Sequence, residues 1–378
     1  RWRHHAEFLT AVPNYLLGLI PGRPGERVVD HVKQEFVLEE GFDSRSIDIY
    51  YLDHHLCHAA SCFYVSPFEE AAILTMDGYG ERTSTLMAKG RGTEIHELKR
   101  IDFPDSLGAF YASLTQYLGF RANYDEGKVM ALAAFGDDSL QTQMSSLFDL
   151  NEDGSFTVDR RFFGYYMQGS NRYSADFVCR FGGPRKHGDE ICQRHKDVAA
   201  AGQKVMENCI VHMARWLQRQ TGLKRLCLAG GVALNSVANA RILAETDFEE
   251  VFIQPAAGDD GASIGAALYL HHGIKYQERS FILEHPYWGP EYSDSEIQSL
   301  LSQAKLKSFS KPDNLSCTVA GLLADGKFVG WFQGRMEIGP RALGARSILA
   351  DPRSAMSRDQ LNAEVKHRES FRPFAPAV

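Results

Sequence analysis

Leu226-Cys227-Leu228-Ala229-Gly230-Gly231-Val232-Ala233-Leu234-Asn235-Ser236 reads as a short buried strand, a glycine turn and the start of a helix. A second unit of the same kind follows it. Val251–Gln254 is the strand, Pro255-Ala256-Ala257-Gly258 the turn, and a helix begins near Asp260. Strands that alternate with helices through short turns predict an α/β architecture rather than a sandwich or a bundle.

The pattern extends in both directions. Ile47–Leu52 and Ala71–Met76 read as buried strands, the second ending at Asp77-Gly78, with a helix over His54–Val65 between them. Ser84–Ala88 and Glu94–Ile101 read as antiparallel partners. Leu107, Phe110, Tyr111, Leu114 and Leu118 fall near one face of a helix over Ser106–Leu118. A long helix over Asp197–Gln220 stops at Gly222. Residues 137–195 are less regular, with a hairpin-type turn at Asn151-Glu152-Asp153-Gly154, and are read as an insertion, either a lid or a substrate-facing surface. Residues 1–274 are expected to form the main domain and 275–296, rich in turn residues, a connector. A second module would occupy 297–378, with a strand at Phe328–Phe332.

Composition narrows the class. The 378 residues are 44% hydrophobic and 24% charged, with a formal net charge of -7, which argues against a duplex-coating nucleic-acid binder. No apolar run reaches the roughly 18 residues of a membrane span. The 7 cysteines show no C-x-x-C pairing and are read as reduced thiols of a cytoplasmic protein. The polypeptide starts inside a helix-like segment and stops on an apolar string, which reads as truncation at both ends.

Four constellations carry chemistry. His54 and His58 are spaced i, i+4, so their imidazoles share one helical face and can converge on one cation. A structural pair would have the same spacing. Asp77, at the end of the next strand, sits where open α/β folds place ligands, although Asp-Gly is also a common turn pair. In Gly258-Asp259-Asp260-Gly261 one aspartate can cap the helix and the other can complete a metal site. Two imidazoles with carboxylates and open positions suit iron(II), manganese or zinc. His55 and Cys57 point to other faces and are read as supporting or packing residues.

The turn at Gly230 and Gly231, running to Asn235, can offer backbone N–H groups to an anion at a helix N-terminus, or can simply be a tight connection. Asp125-Glu126-Gly127-Lys128 can position a phosphate or a hydroxyl acceptor, or be a solvated helix start. The richest segment is Gly334–Ser347. Arg335, Arg341 and Arg346 lie among glycines there, and the guanidinium fork binds phosphate bidentately, which favours an anion pocket.

Taken together these segments resemble the carbamoyltransferases of the nodulation-factor, cephamycin and tobramycin type. The matching stretches are Asp53–Ser61, Thr75–Glu81, Asp125–Gly136, Leu228–Asn235, Pro255–Ala267 and Gly330–Arg353, in the family's order across nearly the whole chain. The resemblance implies an actin/hexokinase-like (ASKHA) metal-binding domain followed by the start of a YrdC-like α/β domain. It implies His54, His58, Asp77 and Asp260 as metal ligands, with iron(II) the first candidate metal. Gly230, Gly231, Asn235 and Gly258 would bind nucleotide, and Glu126 and Lys128 would serve catalysis. Arg335, Arg341, Arg346 and Ser347 would lie at a site for carbamoyl phosphate and ATP.

The implied reaction makes carbamoyl-adenylate from ATP and carbamoyl phosphate, then passes the carbamoyl group to a hydroxyl of a small-molecule sugar or natural product. No nucleic-acid or membrane partner is implied, and a homo-oligomer is allowed for. In the family a strand and a glycine-rich turn carrying a His-Asp pair precede the segment matching Arg1, and most of the YrdC-like domain follows Val378. This stretch alone is therefore expected to be inactive. Two further readings remain at this point: a thiol-directed carbamoyltransferase of the hydrogenase-maturation type, and a non-catalytic nucleotide-binding scaffold of the actin-like fold.

Overall fold

The computed structural model describes residues 50–166, 171–306 and 308–375. The chain divides into two compact units between Ile282 and Leu283. Each is a mixture of helices and strands, as the alternating pattern predicts. Among the described residues no helix is long and apolar enough to cross a membrane.

The first unit is built on a five-stranded sheet: β1 (Glu70–Gly80), β2 (Thr83–Arg91), β3 (Glu94–Asp102), β6 (Arg225–Ala229) and β7 (Glu250–Ile253), in the spatial order β3-β2-β1-β6-β7. β1, β2 and β3 form an antiparallel meander, whereas β6 joins β1 in parallel and β7 joins β6 in parallel. The pairing expected for Ser84–Ala88 with Glu94–Ile101 is present in β2 and β3. β1 is buried on both faces, which explains its unbroken apolar run Ala71–Leu74. Ala71 and Ile73 pack with Ala59, Ala60 and Phe63 of α1 (His54–Phe63), while Ala72, Leu74 and Met76 are equally buried on alternate positions. α2 (Leu107–Tyr117) and the 29-residue α5 (Gln193–Thr221) also pack on β1.

Differences from the sequence expectation are local. Tyr50–Leu52 carries no strand, and residues 47–49 lie outside the described residues, as do 1–46 and 376–378. α1 ends at Phe63 rather than Val65, because Arg279 donates to the carbonyls of Phe63, Tyr64, Ser66 and Phe68 and satisfies the helix end there. Within 137–195, the hairpin β4 (Phe148–Leu150) and β5 (Phe156–Val158) turns at Gly154, and α4 (Ala175–Phe181) follows. Phe148, Phe156, Phe162, Phe163, Phe177 and Phe181 are all buried, giving this region an aromatic core of its own. α5 closes on a left-handed Gly222, as expected.

The second unit contains α8 (Asp294–Gln303), α9 (Leu315–Ala324) and the antiparallel pair β8 (Val329–Phe332) and β9 (Arg346–Leu349). The segment between the two strands holds Arg335 and Arg341, and Arg346 opens β9. Its base is stitched to 286–290 by backbone bonds from Ile338 to Pro286 and from Met336 to Pro290.

Candidate metal centre

Three elements converge at one end of the sheet. α1 begins after Asp53, whose carboxylate caps the helix by accepting the Leu56 N–H at 3.0 Å and pairs with Arg100 at 2.6 Å. With its first turn fixed, His54 and His58 project from one face, their Nε2 atoms 3.0 Å apart. Asp77 follows the buried run of β1, and its Oδ2 lies 3.3 Å from His54 Nε2 and 3.0 Å from His58 Nε2. Ser106, the N-cap of α2, donates to the carbonyls of Asp77 and Gly78 and holds that backbone in place. The third element is α7 (Asp259–Leu268), which brings Asp259 Oδ1 within 3.4 Å of His54 Nε2 and 3.6 Å of His58 Nε2.

α7 reaches this position because it packs directly on α1. A Cβ at Gly265 would lie 1.8 Å from the Cys57 carbonyl oxygen, so only glycine admits this approach. The close approach at Gly265 is thus between two helices. Asp260, expected to complete the ligand set, is not in the cluster: the fourth donor is Asp259, one position earlier. Adjacent helical residues point about 100° apart, so one of the two faces the histidines while the other turns away. Asp260 is exposed, with Oδ1 lying 3.3 Å from the place of a Cβ on Gly258.

The donor set fits a cation. One atom from each of His54, His58, Asp77 and Asp259 lies within 4.8 Å of the other three. Donors at roughly 2.1 Å from a tetrahedral centre would be roughly 3.4 Å apart, and the nitrogen–oxygen separations run from 3.0 to 3.6 Å. Electrostatics agree. Burial opposes charge on His54, but hydrogen bonds to Asp259 and Asp77 carry its imidazole up to about 10. Burial likewise opposes ionisation of Asp77, yet the bonds from His54 and His58 hold its carboxyl well below the usual range. Two carboxylates facing two imidazoles demand positive charge between them, as protons or as a metal ion. His55 is buried against Thr75 Oγ1 at 2.7 Å, and burial with the neighbouring histidines pushes it down to about 3, so it stays neutral.

The glycine turn adjoins this centre. Gly230 has φ +89, a left-handed conformation, and a Cβ there would lie 2.2 Å from the Met76 carbonyl oxygen. That close passage sets Gly231 beside the four-donor group: a Cβ on it would lie 3.0 Å from Asp77 Oδ1. Asn235, expected to meet nucleotide, is committed elsewhere. Its Oδ1 caps α6 (Ser236–Glu245) by accepting the Ala238 N–H, and its amide exchanges hydrogen bonds with Gln203. Gln203 in turn accepts from Tyr111, an interior network that the spacing of these residues gave no signal for. Gly258 is the residue before α7.

The other expected residues lie outside the four-donor group. Glu126 opens α3 (Glu126–Ala133), accepts the Asn123 N–H at 2.6 Å, and has its carboxyl raised by burial. Lys128 pairs with Asp125 at 3.1 Å. In the second unit Arg335 pairs with Glu291 at 3.3 Å, and Ser347 Oγ accepts the Gly344 N–H. Arg341 is exposed. Arg346 is exposed too, but its Nε donates to Glu337 and its Nη2 to the carbonyls of Gly339 and Arg341.

Fold and site define a mixed α/β protein with a histidine–carboxylate centre beside a glycine turn. Residues 27–268 match the model of the carbamoyltransferase N-terminus and residues 320–378 that of the carbamoyltransferase C-terminus. The chain belongs to the carbamoyltransferase family. It is 42% identical over 335 residues to the uncharacterized protein sll1178 of Synechocystis sp., covering 86% of this chain and 54% of that one. It is 39% identical over 333 residues to nodulation protein NolNO of Sinorhizobium fredii, covering 87% and 47%. The chain therefore spans about half the length of the curated relatives it matches. Among solved structures, T. kodakarensis HypF aligns over 68% of this chain and 40% of its own at 15% identity, with a TM-score of 0.35.

Proposed function

We propose that the chain carries the metal-binding part and the start of the adenylate-forming part of an ATP-dependent O-carbamoyltransferase. The observation that carries this reading is the set of four converging donors with Gly231 beside Asp77. The first unit is then the actin/hexokinase-like body, and the second begins a YrdC-like domain. ATP, carbamoyl phosphate and water give carbamoyl-adenylate, pyrophosphate and phosphate. The acceptor hydroxyl then attacks the carbamoyl carbon, a new C–O bond forms, and the bond to the phosphate oxygen breaks to release AMP.

A divalent ion, iron(II) first, would act as Lewis acid and template for the adenylate phosphate, held by His54, His58, Asp77 and Asp259. The backbone at Gly230 and Gly231 would meet the same phosphate. Glu126 and Lys128 would orient the acceptor and offset charge, and Arg335 and Arg341 would grip the anionic substrates. The acceptor class is a small molecule with a free hydroxyl, a sugar or a natural product.

Nucleotide analysis tests this directly. The full-length protein given ATP and carbamoyl phosphate with a competent acceptor should release AMP and pyrophosphate. ADP as the product would place the reaction among kinases instead.

A further inference from the structure

The segment between β8 and β9 contains a buried carboxylate that the proposed chemistry does not use. Glu337 is 4% exposed, although it sits in a turn rich in glycine and arginine. Its Oε1 accepts the N–H groups of Leu343 at 2.7 Å and Ala345 at 2.6 Å. Its Oε2 accepts Arg346 Nε at 2.8 Å. Arg346 passes the constraint on, since its Nη2 donates to the carbonyl oxygens of Gly339 at 3.2 Å and Arg341 at 3.1 Å. Tyr287 adds a bond from its hydroxyl to the Leu343 carbonyl at 2.8 Å. One internal anion thus gathers the N–H groups that would otherwise form an anion nest, and it takes one edge of the arginine nearest to them.

We infer that Glu337 is a positioning residue for the anion site: acting through Arg346, it fixes the backbone of Arg341 and leaves that guanidinium exposed to grip substrate phosphate. Arg346 is then a strut and Arg341 the ligand. Both arginines are exposed, so the division follows from donor use: Arg346 spends Nε and Nη2 on the protein. This inference rests on the carbamoyl-adenylate reading of the second unit.

The two oxygens of Glu337 allow a clean test. In Glu337→Gln the amide oxygen still accepts from Leu343 and Ala345, while the amide NH2 confronts Arg346 Nε, donor against donor. The variant removes the strut contact and keeps the turn. Pyrophosphate release by the full-length protein is followed at saturating ATP while carbamoyl phosphate is varied, with melting temperature as a check on folding. Glu337→Gln should raise the KM for carbamoyl phosphate roughly 10- to 100-fold with kcat little changed, since misplaced binding groups lose affinity on that scale. Arg346→Ala should match it, and the double variant should be no worse than the poorer single one. Arg341→Ala should raise KM at least as far.

If Glu337→Gln leaves KM unchanged or lowers it while Arg341→Ala raises it, the positioning role is overturned and the anion site stands. Additive effects of Glu337→Gln and Arg346→Ala overturn it as well. If Arg341→Ala leaves KM unchanged, the anion site itself fails and the role of Glu337 falls with it.

Discussion

Asp77 Oδ2 lies 3.0 Å from Nε2 of the fully buried His58, a contact that joins the end of the buried run of β1 to the first turns of α1. A carboxylate and an imidazole so placed are either a structural ion pair or half of a metal site, and the second imidazole and Asp259 favour the metal. In Asp77→Asn a neutral amide replaces the charge. Metal retained after dialysis, read by elemental analysis, should fall well below one ion per chain, with helical content unchanged by circular dichroism.

Asp259 and Asp260 offer a sharper contrast. They are adjacent and both exposed, yet only Asp259 reaches the histidines. Titration calorimetry with a divalent ion should show a larger loss of affinity for Asp259→Ala than for Asp260→Ala. The reverse order would mean that the bound ion selects the other aspartate.

Asn235→Ala should act on stability. The substitution removes a helix cap worth about 1 kcal/mol and leaves the buried Gln203 amide short of partners, at a further cost of about 1–3 kcal/mol. Urea unfolding should register a loss on that scale, while metal content stays the same. A direct nucleotide ligand would behave oppositely.

Gly265→Val tests the helix contact that delivers Asp259. No side chain fits against the Cys57 carbonyl, so α7 must move off α1. The expected destabilisation is about 1–3 kcal/mol or more. Metal content should fall with it, even though Gly265 is no ligand.

Acid should loosen the second unit through Glu337. Burial opposes its ionisation, but Arg346 and the Ala345 and Leu343 amides hold its carboxyl down to about 2. A depressed folded-state value stabilises the fold above the ordinary carboxyl range near 4.5, and that stability is lost as pH falls through 4.5 toward 2. Thermal melts between pH 5 and pH 2 should show a steeper decline for the wild type than for Glu337→Gln, which has no proton to gain.

The strand–turn–helix units were legible because their signals are local: an apolar run, a glycine turn, then small residues. His54, His58 and Asp77 were legible for a similar reason, since helical spacing and a strand end fix where those side chains point. The choice between Asp259 and Asp260 was not, because residue type marks a helix start without giving its rotation about the axis. The Asn235 cap on Ala238 is local, but its amide exchange with Gln203, 32 residues earlier in sequence and adjacent only in space, left no signal there. The role of Arg346 within the turn was hidden for the same reason. Its partner Glu337 looks like an ordinary surface glutamate until the turn folds around it.

Four side chains from three elements build one candidate divalent-metal site. Metal-stripped protein titrated calorimetrically with iron(II) under anaerobic conditions, beside His54→Ala/His58→Ala, is the decisive comparison. The wild type should take up one ion per chain, and the double variant should show no saturable binding. Equal stoichiometry and affinity in the two proteins would rule the site out.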